Sequence, residues 1–304
     1  MSGVCEGRVV IVTGAGGGLG RAYALGLAAE GAKVVVNDLG VGLHGETGEA
    51  EGAAEKVVGE IRAAGGAAMA DTGDVADYDA MHALVQRTVA EFGGLHAVVN
   101  NAGFVRDRMF VSCTPDEWDA VIRVHLRGHF CLSNWAARYW RDQQKQGKDV
   151  NARIINTSSG AGLQGSMAQS AYSAAKGGIA TLTLVQAAEL GRYGVTANAL
   201  APNARTRMTK DAFGERMELK IGDFDVFDPA NTAPLVAWLC SADSRDVTGE
   251  VFELVGGDLS VSQGWTDSPH EDCGARWPAG EIGAAVRRVL AKREPAKPVY
   301  GAAV

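Results

Sequence analysis

Four short stretches of the chain are apolar without alternation: Val9–Val12, Lys33–Val36, Ala97–Asn100 and Arg153–Thr157. Runs of this kind predict strands of a parallel sheet covered on both faces, because a half-exposed strand would alternate apolar and polar positions. Between them, residues 21–30, 49–64 and 79–92 carry helical spacing. Thr114-Pro115-Asp116-Glu117 reads as a helix start, with a Thr cap, Pro in the first turn and Glu three residues on. Strands alternating with helices make right-handed βαβ units. The expectation is an α/β fold: a single doubly wound (Rossmann-type) domain over residues 1–304, with helices on both faces of a central parallel sheet. No repeat or Pro/Ser-rich linker divides it. Residues 203–229 lack a period and are read as a substrate lid. A C-terminal extension, 259–304, is turn-rich before a short helix over 281–292. Its last dozen residues are expected to be poorly ordered or to reach a neighbouring subunit.

Composition narrows the class. Of 304 residues, 46% are hydrophobic and 21% charged, which excludes disorder as the dominant state. Forty glycines, without a collagen period, mark tight turns and places of close backbone approach. The net charge of −7 argues against a nucleic-acid partner. The first apolar run is too short for a secretory signal, and no run is long enough to span a membrane. Five cysteines without a CxxC pair suit a reducing cytoplasm and neither a disulfide framework nor a metal site.

Thr13 to Gly20, TGAGGGLG, follows the first strand and opens the first helix. Glycines there let backbone approach a pyrophosphate, and the helix N-terminus offers free N–H groups. Gly14, Gly17, Gly18, Leu19 and Gly20 are the candidates. The second strand ends at Asp38, whose carboxylate suits the ribose hydroxyls of NAD and repels a 2′-phosphate. Asp74 and Val75 follow the third strand, where Asp74 would accept from an adenine amino group. Asn101, Ala102 and Gly103 follow the fourth, at the same carboxyl edge.

Tyr172 and Lys176 stand at i and i+4 of a predicted helix, on one face. A nearby ammonium favours the phenolate that a Tyr base requires. Ser159, just past a strand end, would hydrogen-bond the substrate oxygen. Together these residues resemble the short-chain dehydrogenase/reductase family over about residues 7–258: TGAGGGLG, NDLG, GDV, NNAG, a strand-end Ser, YSAAK and Ala201-Pro202, in that order. The resemblance implies Tyr172 as acid/base, Lys176 on the nicotinamide ribose and lowering the Tyr pKa, Ser159 on the substrate, and Pro202 beside the cofactor. Members that prefer NADP often carry a basic residue where this chain has Gly17, so NAD is the implied cofactor. A family Asn that completes a tetrad is replaced by His125, read as a variant proton relay or a packed core residue. His125 and His129 are i, i+4, but the zincin Glu and a third ligand are missing, so no metal is expected.

Finer motifs (GLGRAY, VNDLG, RDR at 106–108, VHLRG and PNARTRMT) are similar to the (3R)-hydroxyacyl-CoA dehydrogenase units of peroxisomal multifunctional enzymes type 2. This implies oxidoreduction of a 3-hydroxyacyl-CoA. The alternatives are a hydroxysteroid dehydrogenase, a 3-oxoacyl thioester reductase or, in a different class, a silent NAD-binding scaffold. Arg106, Arg108, Arg205, Arg207 and Lys210 are expected to form a cationic rim that steers CoA. Phe104, Met109, Phe110, Phe213 and Met217 are the candidate apolar wall for a steroid-like alcohol or ketone. Family members are usually homodimers or homotetramers built on helices corresponding to 114–141 and 169–193.

Overall fold

The computed structural model describes residues 3–40, 52–206, 224–266, 269–294 and 296–302. Eight strands form one sheet: β1 (Val9–Thr13), β2 (Lys33–Asn37), β3 (Ala68–Asp71), β4 (Ala97–Asn100), β5 (Ala152–Thr157), β6 (Val195–Pro202), β7 (Val251–Val255) and β8 (Asp258–Val261). Their order is β3-β2-β1-β4-β5-β6-β7-β8. All pair in parallel except β8, a short antiparallel return on β7. The four strands expected from the apolar runs are present. Every residue of β1 is buried, and successive ones serve opposite faces. Val10 and Val12 pack with Tyr23, Leu27 and Val236, whereas Ile11 packs with Met81, Leu84 and Leu132. Each such Val or Ile contributes roughly 1.5–3 kcal/mol on burial, which is why the run cannot alternate.

One face is covered by α1 (Gly18–Ala29), α2 (Ala53–Ala63) and α8 (Ala233–Cys240). The other is covered by α3 (Tyr78–Phe92) and α5 (Gly128–Lys145), with the end of α7 (Ser170–Leu190). Asp77 caps α3 by accepting from Asp79 and Ala80 N–H, and Gly93 ends it in the left-handed region at φ 83°. The capping box before α4 (Pro115–Ile122) is formed: Thr114 Oγ1 accepts from Glu117 N–H, and Glu117 accepts from Thr114 N–H.

The sheet order reverses between β1 and β4, and a cavity of about 760 Å3 lies across the carboxyl ends there. This is the place where open α/β sheets bind ligands, and the volume falls in the ~300–1,000 Å3 range of small-molecule sites. Among the described residues, no helix is long and apolar enough to cross a membrane. Most of the expected lid, residues 207–223, lies outside the described residues, with Arg207, Lys210, Phe213 and Met217 in it. After α9 (Ala279–Lys292), residues 297–301 pack back onto this same chain beside the cavity.

Candidate active site

The near half of the cavity is lined by Gly14, Gly17, Gly18, Leu19, Asp38, Asp74, Val75, Asn101, Ala102 and Gly103. The N-terminus of α1 has no side-chain cap, so its first N–H groups remain available to an anion. Gly14 and Gly18 sit at φ 60° and 51°, where other residues are strained. Gly20 lies beneath the cavity lining: it is buried, and a Cβ there would stand 2.1 Å from the Gly14 carbonyl oxygen, so this glycine lets α1 nest on the loop.

Asp38 holds the loop from the second strand: Oδ2 accepts from Gly16 N–H and Oδ1 from Gly40 N–H, each at 2.8 Å. Asn101 is chiefly a strut, its amide donating to the carbonyls of Thr13 (3.0 Å) and Gly14 (3.1 Å). Asp74 reaches the cavity already engaged, with one oxygen on Ala76 N–H and the other paired with Arg123 at 2.6 Å. An adenine amino group would share that carboxylate.

Deeper in, β5 ends at Thr157 and releases Ser159, the cap of α6 (Gly160–Gln164), whose Oγ accepts from Ala161 N–H at 3.2 Å. Tyr172 and Lys176 descend from α7 into the same cavity. Lys176 is buried, and its Nζ donates to the Thr157 carbonyl at 2.6 Å, 5.6 Å from the Tyr172 ring centre. The fit of α6 on α7 requires Gly162, where a Cβ would come within 2.5 Å of Lys176 backbone. Burial lowers the Lys176 pKa to about 7. For Tyr172, burial pushes the phenol pKa up, against a hydrogen bond with Ser159 that pulls it down, while Asp107 adds to the rise.

His125 lies in a π-helical turn, Arg123–Arg127, which turns its ring inward against Gly103; a Cβ there would stand 2.1 Å from the imidazole Cε1. Nε2 contacts the Phe104 backbone, 2.7 Å from its oxygen and 3.1 Å from its nitrogen, and Nδ1 has no hydrogen-bond partner. Burial, with Lys176 adding to it, lowers its pKa to about 3. A ring held neutral in this way does not carry a proton as imidazolium. It meets Tyr172 edge-on, with ring centres 5.3 Å apart. His129 turns elsewhere, to the His125 carbonyl (2.7 Å) and Thr157 N–H (3.3 Å). Among the described residues there is no three-residue metal cluster.

The far half is lined by Phe104, Val105, Arg106, Ser166, Gln169, Phe227, Glu253 and Tyr300, with Pro202 at the end of β6. Of the expected cationic rim, Arg108 pairs with Glu117 at 3.1 Å and Arg205 with Asp225, and Arg106 lines the cavity; Arg207 and Lys210 lie outside the described residues. Of the expected apolar wall, Phe104 is in place, but Met109 and Phe110 point outward, the latter 77% exposed.

Sequence reasoning missed the struts beneath the site. Asn100 donates to Ser133 and Asn156, each at 2.9 Å, and Asn156 donates to Thr183 (2.9 Å) and Gln186 (2.7 Å), tying β4 and β5 to both flanking helices. The available signal was an Asn at or near the end of three apolar runs (Asn37, Asn100 and Asn156). Nothing in the sequence pointed to Tyr300.

The sequence pattern of the short chain dehydrogenase family matches residues 8–216. The chain belongs to that family. It is 45% identical over 297 residues to hydroxyacyl-CoA dehydrogenase ChsB1 of Mycobacterium tuberculosis, covering 95% of this chain and 90% of that protein. It is 44% identical over 255 residues to peroxisomal multifunctional enzyme type 2 of Mus musculus, covering 83% of this chain and 32% of that longer protein. A crystal structure of a short chain dehydrogenase from Mycobacterium avium shares 59% identity, with a TM-score of 0.89, over 99% of this chain and 100% of that one. The family and branch expected from the motifs are those found, and the family's members are dehydrogenases and reductases acting on CH–OH groups.

Proposed function

We propose that the protein is an NAD-dependent dehydrogenase that oxidises a 3-hydroxyacyl-CoA to the 3-oxoacyl-CoA. The observation that carries this reading is the meeting of Ser159, Tyr172 and Lys176 in one cavity with an uncapped, glycine-lined helix N-terminus and Asp38. The named hydroxyacyl-CoA relatives support the substrate class. Gly14, Gly17, Gly18 and Leu19 would hold the pyrophosphate, Asp38 the adenosine ribose, Asp74 and Val75 the adenine, Asn101 to Gly103 and Pro202 the middle of the dinucleotide, and Lys176 and Tyr172 the nicotinamide ribose. Bound NAD supplies a hydride acceptor at its nicotinamide ring.

The chain's residues do the rest. Ser159 donates to the C3 oxygen and holds it beside Tyr172. Tyr172, as phenolate, takes the hydroxyl proton while the C3–H pair leaves as hydride, so the C3–O bond becomes a carbonyl and one proton remains on the enzyme. Lys176, in its protonated form, places a positive charge behind the phenol and favours the phenolate. His125 fixes the ring by edge contact and acts as a positioning residue. Two further expectations belong to the same reading: a cytoplasmic location, and a homodimer or homotetramer.

The test is a panel of alcohols. A 3-hydroxyacyl-CoA is expected to exceed its simple alcohol fragment in kcat/KM with NAD, because binding energy from the remote CoA helps position C3. Good turnover of steroid alcohols with none of CoA esters would replace this substrate class.

Cofactor choice is a separate prediction. Asp38→Ala is expected to narrow the preference for NAD over NADP by about tenfold, equivalent to ~1.4 kcal/mol, by removing a like charge from the 2′-phosphate. It also removes the acceptor for Gly16 and Gly40 N–H, so NAD itself is expected to bind less tightly. The ratio of kcat/KM for the two cofactors is the readout. Equal use of NADP by the unaltered enzyme contradicts the assignment.

A further inference from the structure

The last described residues are tied to the loop that carries the substrate half of the cavity. Lys297 Nζ donates to Glu253 Oε1 at 2.8 Å, and Ser262 Oγ shares that oxygen. Gln164 Nε2 donates to the Pro298 carbonyl at 3.0 Å. Tyr300 N–H donates to the Gly165 carbonyl (3.2 Å), and Met167 N–H to the Tyr300 carbonyl (2.9 Å), closing a parallel bridge between Ser166 and Tyr300. Val299 packs on Gly165, and Gly301 on Met167. Each of residues 297–301 is thus held by a hydrogen bond or a packing contact.

Their position gives the strap a consequence. Both Tyr300 and Glu253 line the cavity. The Tyr300 ring lies against Gly160, where a Cβ would stand 2.6 Å from the phenol oxygen and 3.0 Å from the ring. Gly160 directly follows Ser159, so the ring lies beside the turn that presents the Ser159 hydroxyl. A substrate whose C3 oxygen is held by Ser159 and Tyr172 must extend one of its two C3 branches past this ring.

We infer that Tyr300 is a specificity-determining residue: the strap Lys297–Gly301 forms a wall of the substrate pocket, and the Tyr300 ring limits the bulk of the acyl branch carried on C3. The inference rests on the alcohol-oxidation reading of the site. Beside Gly160 the ring presents its phenol oxygen and one ring edge. The two ties differ in kind. The backbone bridge holds Tyr300 in place, and the Lys297–Glu253 pair fixes the strap's start to β7.

The experiment measures kcat/KM for two 3-hydroxyacyl-CoA esters, one with a short straight acyl branch and one with a branched or ring-bearing branch, together with the Kd for NAD. Tyr300→Ala is expected to shift the ratio toward the bulky ester by about tenfold or more, through KM, with Kd for NAD unchanged. Tyr300→Phe keeps the ring and should keep the ratio. Lys297→Ala, which frees the start of the strap, should shift it in the same direction by less. Equal changes for both esters, or no change, in a Tyr300→Ala protein that still binds NAD overturn the inference. If neither CoA ester turns over but simple alcohols do, the acyl-CoA reading fails, and the same ratio measured on short and bulky alcohols tests the wall on its own.

Discussion

Tyr172→Phe is expected to lower kcat by about 10²–10⁴-fold, the usual contribution of a positioned acid/base, while NAD binding changes little. The substitution deletes only the hydroxyl. The ring keeps its edge contact with His125 and its place 5.6 Å from Lys176 Nζ, so packing offers no other route to a loss of this size. Burial raises the phenol pKa, and oxidation requires the phenolate, so the rate of alcohol oxidation should rise with pH until Tyr172 has ionised. Steady-state rates across pH, with cofactor binding followed separately, check both parts. Near-normal turnover by Tyr172→Phe would place the base elsewhere.

The second large effect is expected at Lys176, where function and stability pull in opposite directions. Lys176→Met should reduce kcat/KM by at least about 10²-fold, the scale of a lost preorganised electrostatic contact, and should weaken cofactor binding. It should not lower the unfolding temperature at pH 6. In the folded protein burial holds the Lys176 pKa at about 7, below the 10.5 of a lysine in water. The unfolded chain therefore binds more protons between these two values, and stability contributed by this group rises with pH across that window. Below pH 7 the buried cation carries its full desolvation cost, offset in part by the Thr157 carbonyl. Thermal unfolding of both proteins at pH 6 and pH 9 measures the effect. A gap that does not move toward the unaltered protein at the higher pH would refute the burial argument. Active sites built on such costs are a known source of trade-off between activity and stability.

The nucleotide half was legible in the sequence because its chemistry is local. Glycines at φ 60° and 51°, an uncapped helix start and a strand-end Asp each leave a mark at a fixed offset from an apolar run. The pair Tyr172 and Lys176 was legible for the same reason, since i and i+4 share a helix face. The failures have different causes. β3, Ala-Met-Ala-Asp, has no β-branched residue, so only the motif after it betrayed the strand. The inward turn of His125 depends on a π-helical bulge and on Gly103 from another segment, neither of which helical periodicity encodes. The acidic partners of Arg108 and Arg205, Glu117 and Asp225, were not legible because the fold brings them together. Tyr300 is separated from Ser159 by most of the C-terminal half of the chain, and it is returned to the site by the bridge to Ser166 and by the ties of Lys297 to Glu253 and of Pro298 to Gln164.

The central claim is hydride transfer from C3 of a hydroxyacyl thioester, and isotope tracing tests it most directly. The enzyme is mixed with NAD and a 3-hydroxyacyl-CoA bearing deuterium at C3, and both products are examined. The account predicts one 3-oxoacyl-CoA for each NADH formed, the deuterium in the nicotinamide ring, and loss of both products in Tyr172→Phe. Thioester bound without NADH formation, or NADH free of deuterium, would contradict it.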